Sequence, residues 1–192
     1  VEWNAVNQLN LKETKISIPK MAFGKGWLDQ GGAGAWLSPN YDKAVPTPVV
    51  DAVTGLVGGT CTIFQKMNDA GDMIRVATNV INKEGKRAIG TYIPAVDDSG
   101  AKNQIIETVR GGKIYTGRAF VVDAWYVASY APINDETGKL IGMSYVGVKQ
   151  ESVESLRKAI MDIKIGETGY VFVLGGSGSH MGHYIISYKG AS

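Results

Sequence analysis

One stretch, residues 113–150, constrains the fold of this chain more than any other, because it is typical of three consecutive antiparallel strands. Its first two segments, 113–121 and 124–133, are rich in β-branched and aromatic residues and are separated by a tight turn. The third, 140–148, follows a turn at 134–138 whose polar side chains and glycine favour a reversal. Such a meander is either a plain sheet with an aromatic core or the apolar wall of a small-ligand pocket. The segment alone leaves both interpretations open.

Composition narrows the class of partner. The 192 residues suffice for one good core, or for one domain and part of a second. A net charge of +2, without a basic stripe or a run of like charge, predicts no nucleic-acid partner. The single cysteine, Cys61, excludes a disulfide framework and an all-cysteine metal site, and it is expected to be a small buried residue.

Neither a stretch of 18 apolar residues nor a signal peptide is visible. The sequence begins at Val1 and stops at Ser192, directly after a strand-like run. We therefore expect a piece of a longer protein. Any link to a membrane is expected only through missing flanking helices.

Hydrophobic periodicity and turn residues predict the order of the elements. The first 45 residues are expected to be irregular apart from a short strand at 15–18, and Thr47 is expected to cap a helix that Gly58 ends. The remaining predicted elements are a hairpin at 60–67 and 73–81, a strand at 91–93, a helix at 103–110, the meander, an amphipathic helix at 151–164, and a hairpin at 170–174 and 183–187. This order predicts an α+β fold with a central antiparallel sheet of about five strands and flanking helices.

Three motifs that would indicate catalysis or a cofactor fail. The glycine-rich run 175–179 lacks the lysine and hydroxyl residue of a phosphate loop and precedes a strand, so a hairpin turn is favoured. His180 and His183 have no cysteine or acidic ligand nearby, so no metal site is predicted. No nucleophile–base pair or nucleophile elbow is found, so we expect neither an enzyme nor a cofactor.

Four segments in consistent order resemble the Cache superfamily of extracytoplasmic sensor domains. They are Thr60-Cys61-Thr62-Ile63-Phe64-Gln65 leading to Asn79-Val80, then Gly90-Thr91-Tyr92-Ile93-Pro94, then Gly117-Arg118-Ala119 with Ala124-Trp125-Tyr126, and finally 142–148. The chain resembles the single-Cache module that is fused to a second Cache module. Residues 165–174 resemble the opening of that second module. One feature departs from the family, since residues 1–45 lack an evident long N-terminal helix.

The resemblance implies a PAS-like sheet outside the cytoplasm, a small-molecule pocket, and an output through a transmembrane helix to a chemotaxis, kinase or cyclase module. It also makes a homodimer in the full-length receptor an open expectation. We accordingly divide the chain into an N-terminal segment (1–45), a Cache domain (46–164) and the truncated start of a second module (165–192).

Strand alternation predicts which side chains share a face of the meander. One face should carry Arg118, Phe120, Trp125, Val127 and Ser129, and the other Ala119, Val121, Tyr126, Ala128 and Tyr130. The first set suits a small carboxylate, because arginine can bind it with two parallel hydrogen bonds while tryptophan and serine add donors. In related Cache domains a tryptophan of such a Trp-Tyr strand contacts the ligand carboxylate, which favours Trp125. Tyr92 and Tyr145 are added as candidates for the pocket rim, and the alternative is that Arg118 is an exposed or salt-bridged sheet residue without a ligand.

The function predicted from the sequence is therefore that of a periplasmic Cache-type sensor domain that binds a short organic acid and catalyses nothing. The alternative is an intracellular PAS-like interaction module without a small ligand. A hydrolase or transferase ranks third.

Overall fold

A computed structural model describes residues 1–21, 37, 39–122, 124–176 and 181–186. The chain divides into two compact units, Val1–Val148 and Lys149–Ser192. The strands of the first unit are β1 (Glu2–Asn7), β2 (Glu13–Ser17), β3 (Thr60–Lys66), β4 (Met73–Thr78), β5 (Thr91–Ile93), β6 (Tyr115–Val121), β7 (Ala124–Asn134) and β8 (Leu140–Lys149). Its helices are α1 (Val50–Val57) and α2 (Gln104–Arg110).

The strands of the first unit form one eight-stranded sheet in the order β2-β1-β5-β4-β3-β8-β7-β6. The α+β class is confirmed, but the expected count of about five strands was wrong. The five consecutive neighbours β4-β3-β8-β7-β6 correspond to the predicted hairpin and meander, and β5, β1 and β2 extend the sheet beyond them. Because β1 pairs with β5 in parallel, the sheet is mixed rather than antiparallel.

The N-terminal strands correct the expectation that residues 1–45 are irregular. In β1 the side chains of Trp3, Ala5 and Asn7 are buried while their neighbours face outward, which is the alternation of a half-buried strand. Glutamate, asparagine and alanine are depleted in strands, so the composition of residues 2–7 did not indicate a strand. The short strand predicted at 15–18 is β2, at Glu13–Ser17.

The hairpin β3–β4 forms where its turn chemistry predicts it. The side-chain oxygen of Asn68 accepts hydrogen bonds from the backbone N–H groups of Gly71 and Asp72. Gly71 has φ of 101°, which favours glycine. A bulge follows in β4, so that Ile63 lies opposite Ala77 but Phe64 lies opposite Arg75.

The two helices begin differently. At α2 the side chain of Asn103 accepts hydrogen bonds from the N–H groups of Ile105 and Ile106, as an N-cap does. At α1 the predicted cap was wrong, because the residue before the helix is Val49 and no side chain caps it. The Asp51 carboxylate instead accepts a hydrogen bond from the Thr47 backbone N–H at 2.6 Å.

The sheet carries two hydrophobic clusters. We call the first the aromatic cluster; its large rings are Phe64, Tyr126, Tyr130 and Tyr145, and α2 adds Ile106 and Val109 to it. The second is formed by Trp3, Cys61, Ile63, Ile74, Val76, Tyr92 and their neighbours, with Val50 of α1. Cys61 is buried, as predicted.

The second unit contains α3 (Gln150–Met161) and four short strands, β9 (Lys164–Ile165), β10 (Gly169–Tyr170), β11 (Val173–Leu174) and β12 (Tyr184–Ile186). The predicted C-terminal hairpin is confirmed by the antiparallel pairing of β11 with β12. The predicted helix at 151–164 ends earlier, at Met161. That residues 165–192 open a second module stays a prediction.

Candidate functional site

The two faces of the meander are divided as alternation predicts. Val121 pairs with Ala124 across a two-residue turn, and Arg118 pairs with Val127. Ala119, Val121, Tyr126, Ala128 and Tyr130 are buried, while Phe120, Trp125 and Val127 are 47%, 49% and 47% exposed. The tyrosine face is therefore the core face, and the arginine and tryptophan lie on the open one.

Of the five predicted ligand-binding residues, Arg118 and Trp125 lie in contact, whereas Tyr92 and Tyr145 belong to different hydrophobic clusters. Arg118 stacks on the Trp125 ring, with 4.8 Å between the guanidinium carbon and the ring centroid. Ser129, half-buried, shares their side of the sheet. Tyr145 is buried in the aromatic cluster, and Tyr92 belongs to the second cluster. The two tyrosines are buried in different hydrophobic clusters, and the ligand-binding role of the five residues stays a prediction.

Arg118 and Trp125 do line a cavity of about 320 Å³ at the edge of β6. Other residues around it are Gln8, Leu9, Pro94, Asp97, Ala101, Lys102, Asn103, Gln104, Ile105, Tyr115, Ala119 and Phe120. Ser129, Tyr92 and Tyr145 are absent from the described lining. The cavity mixes apolar walls with a few charged groups, as small-ligand sites do.

Arg75, which the sequence did not single out, donates a hydrogen bond to Gln8 of this cavity's lining. Its side chain is fully buried on β4. The guanidinium Nη1 donates to the Thr91 hydroxyl at 2.5 Å, and Nη2 donates to Gln8 Oε1 at 3.0 Å. The third nitrogen, Nε, has no hydrogen-bond partner. Within the described part of the chain no carboxylate lies close enough to pair with Arg75.

Aromatic rings surround the Arg75 side chain. The guanidinium carbon lies 4.9 Å from the centroid of the Phe64 ring, within cation–π range. Tyr130 and Tyr145, with ring centroids 5.0 Å apart, lie on the same side of the sheet. Burial lowers the pKa of Arg75, and nearby Tyr130 and Tyr145 oppose that change. Burial also raises the pKa of both tyrosines, so each keeps its proton at neutral pH.

The free part of the guanidinium has the geometry that a carboxylate requires. Nε and Nη2 donate in parallel from one edge of the planar group, and a carboxylate binds such an edge with two hydrogen bonds. In this structure Nε has no hydrogen-bond partner, and one N–H of Nη2 donates to the neutral amide of Gln8. The unpaired Nε is therefore a donor that an anion can use.

One feature of the sequence could have indicated that Arg75 is unusual. It stands alone as a charge in the strand Met73–Thr78, whose six residues are all buried. A charged residue is almost never fully buried unless it is paired, so a lone arginine in an apolar strand indicates a special environment.

Several predictions concern the C-terminal glycine and histidine residues. Residues 177–180, which include most of the glycine-rich run and His180, lie outside the described residues. The described part contains no cluster of three or more His, Cys, Asp or Glu residues that could hold a metal ion. No described helix is long and apolar enough to cross a membrane.

Comparison with known proteins identifies the family. Neither the curated proteins nor the solved structures include a match to this chain. The family model of the Cache 3/Cache 2 fusion domain matches residues 1–192, the whole length of the sequence. The resemblance seen in four separate motifs is thereby confirmed, and the chain belongs to the Cache 3/Cache 2 fusion domain family of sensory domains.

Proposed function

We propose that this domain is the extracytoplasmic ligand-binding part of a transmembrane receptor, a chemoreceptor or a sensor kinase, and that it binds a small carboxylate through Arg75. The single observation that carries the proposal is the unpaired Nε of a fully buried arginine that has no acidic partner among the described residues. Membership of a sensory family supports the receptor role.

The energetic cost of Arg75 supports a ligand of negative charge. Moving a cation out of water costs several kcal/mol, even after the protein relaxes. Thr91, Gln8 and the Phe64 ring offset part of this cost, but none carries a charge. A carboxylate on this arginine would supply the missing charge and the acceptor that Nε lacks.

The surroundings favour a short acid. The Phe64 ring lies against the Arg75 guanidinium, and Tyr130 and Tyr145 lie nearby. Lys102 and Arg118 line the outer cavity together with Asp97, and the excess of one positive charge would attract an anion from solvent. We therefore expect acids between acetate and malate in size, bound without a metal or cofactor and without chemical conversion.

The test is calorimetry of the 192-residue protein against acetate, propionate, lactate, succinate and malate at constant ionic strength, with chloride as the reference anion. Arg75→Met removes the charge and keeps much of the side-chain volume. Arg75→Lys keeps the charge but lacks the two parallel N–H donors of a guanidinium. Loss of a charge-assisted pair costs about 1.5–3 kcal/mol, or roughly tenfold to a hundredfold in affinity.

Arg118→Ala is the control, because Arg118 is an exposed arginine that lines the outer cavity, whereas Arg75 is buried and does not belong to that lining. Binding that Arg118→Ala removes and Arg75→Met spares would assign the ligand to the outer cavity. Absence of binding by any acid would exclude a carboxylate sensor of this type.

A second candidate function has its own observation. Phe120, Trp125, Val127, Val146 and Val148 leave an exposed apolar area on β6–β8, of the kind that protein interfaces use. It supports the alternative of an interaction module, whose ligand would be a protein. Under this alternative, none of the acids binds and Arg75→Met leaves the partner's affinity unchanged.

A further inference from the structure

One edge of the eight-stranded sheet, β2, has backbone groups without a partner strand. Among the described strands it pairs with β1 alone. At one end of this ladder Val1 and Ile18 exchange two hydrogen bonds, of 2.7 and 3.0 Å, and at the other the Asn7 N–H donates to the Lys12 carbonyl at 2.9 Å. Hydrogen-bonded and non-hydrogen-bonded pairs alternate in an antiparallel ladder, so the even-numbered residues of β2 bond to β1. The N–H and C=O groups of its odd-numbered residues therefore point away from the sheet, where a further strand can pair with them.

Two of these outward-pointing residues carry exposed side chains of opposite charge. They are Glu13 and Lys15, whose side chains lie on one face of the strand, whereas that of Thr14 between them lies on the other. Neither charged side chain forms an ion pair with a described residue of the domain. The edge therefore offers a negative and a positive charge at a spacing of two residues.

Charge complementarity selects one register in which β2 can pair with a second copy of itself. In an antiparallel pairing centred on Thr14, each Glu13 lies opposite the Lys15 of the other copy. Both of these pairs consist of outward-pointing residues, which can exchange backbone hydrogen bonds. Thr14 then faces its own copy in a non-hydrogen-bonded pair, and threonine pairs of this kind are favourable. Registers centred on Glu13 or on Lys15 place like charges opposite each other, which is destabilising.

The other free edge of the sheet, β6, offers no such complement. Arg118 is its only charged residue, so no antiparallel pairing with a second copy brings opposite charges together. Charges on an edge strand ordinarily hinder pairing with another chain. In β2 the order of the two charges reverses this effect for a copy in the one register.

We propose that β2 is a homodimerisation edge, at which two copies of the domain pair antiparallel about Thr14 and join their sheets into one. The proposal involves neither Arg75 nor the carboxylate site, so each can hold without the other. Two short strands form a small interface. We therefore expect weak association of the 192-residue protein that depends on its concentration.

Sedimentation equilibrium between micromolar and millimolar protein tests the edge with a charge swap. Glu13→Lys and Lys15→Glu each place like charges opposite each other, so each alone should associate about tenfold more weakly than the wild type. A mixture of the two variants should recover the wild-type affinity within about threefold, because every lysine then faces a glutamate. Glu2→Lys is the control, since it makes the same charge change at an exposed residue of the inner strand β1 and should alter the affinity less than about twofold.

Cross-linking through an introduced cysteine tests the register. Thr14→Cys places the thiol opposite its own copy, with Cα atoms about 4.5 Å apart, so mild oxidation should produce a covalent dimer. Ser17→Cys is the control, because Ser17 is also exposed but lies well beyond disulfide reach of its own copy in this register. The native Cys61 is buried and should not contribute.

Three results would overturn the proposal. They are a wild type that stays monomeric at millimolar concentration, a dimer that both charge variants leave intact, and a mixture of these variants that associates no better than either alone. A dimer that persists in both variants would use another surface, such as the open face of the meander. All substituted side chains are exposed, so we expect every variant to fold.

Discussion

The guanidinium of Arg87 binds both carboxylate oxygens of Asp51, at 2.9 Å from Nη1 and 2.8 Å from Nη2. The same guanidinium donates to the backbone carbonyls of Asp42, Val45 and Thr78, so all three of its nitrogens are paired. Arg75 is also buried, yet it has only neutral partners and an unpaired Nε. The first arginine joins α1 to the sheet, and the contrast supports a functional rather than a structural role for the second.

Replacing Arg75 with methionine should not destabilise the empty domain. An apolar side chain of similar size removes the desolvation cost of the guanidinium, and substitutions of this kind for buried ionic groups are often neutral or stabilising by about 1–4 kcal/mol. Chemical denaturation of the wild type and Arg75→Met without ligand measures this. A loss above about 3 kcal/mol would mean that Arg75 is a structural residue and would weaken the proposed function.

Replacing Asp51 with asparagine should have the opposite effect on stability. It leaves the buried Arg87 without a charged partner, which costs about 3–5 kcal/mol for a fully buried pair. The Asp51 side chain is 32% exposed, so we expect a loss nearer about 2–3 kcal/mol. Glu84→Gln is the control, because it breaks an ion pair with Lys86 in which both side chains are well exposed, and it should cost less than about 1 kcal/mol.

The pair with Arg87 also predicts a pH dependence. Burial raises the pKa of Asp51, but hydrogen bonds from Arg87 and Thr47 outweigh it and leave the pKa below the usual 3.8. Because the folded-state pKa is depressed, the contribution to stability is complete above pH 3.8 and is lost as the pH falls through the folded-state value. The difference in unfolding free energy between wild type and Asp51→Asn should therefore shrink below pH 3.8. A constant difference across this range would contradict the assignment.

The face assignment of the meander predicts unequal costs for two neighbouring aromatic residues. Tyr130 is 1% exposed and packs against Phe64 and Tyr145, so Tyr130→Ala should cost about 3–5 kcal/mol. Trp125 is half exposed and stacks on Arg118 and Phe120, so Trp125→Ala should cost clearly less. Thermal denaturation compares them, and equal losses would mean that the open face is covered in solution.

Local sequence rules predicted the parts of the fold that local chemistry decides. The Asn68–Gly71 turn, the Asn103 cap and the two-residue reversal after Val121 each depend on a few adjacent residues. The register after Val121 then divided the ten side chains considered between 118 and 130 into the two faces that the strand pairing shows. Alternation alone gave no reason to prefer one face as the core, because that choice depends on α2 and on distant strands.

The candidate site escaped prediction for a related reason. Strand β4 is buried on both sides, so alternation says nothing about where Arg75 points. Its partner Gln8 is 67 residues away in the sequence and follows a strand that composition concealed. A bulge in β4 also sets which of its residues faces Phe64. These relationships are tertiary, and only the folded chain brings them together.

The rate at which a reagent modifies the Cys61 thiol should report how often the folded domain opens, and therefore how much a bound ligand stabilises it. Burial raises the pKa of this thiol to about 11, so the reactive thiolate is scarce at pH 8 and the sulfur is also shielded by the second hydrophobic cluster. We expect an aromatic disulfide reagent to modify Cys61 only when the domain opens. A carboxylate at about 100 times its dissociation constant stabilises the folded state by roughly 2.7 kcal/mol and should slow this modification up to about a hundredfold.

The Arg75→Met variant is the control. The ligand should no longer protect its Cys61, while its rate of modification without ligand stays at or below that of the wild type. Rapid modification of the native wild type, at the rate of a free thiol, would show that Cys61 is accessible and would contradict the prediction.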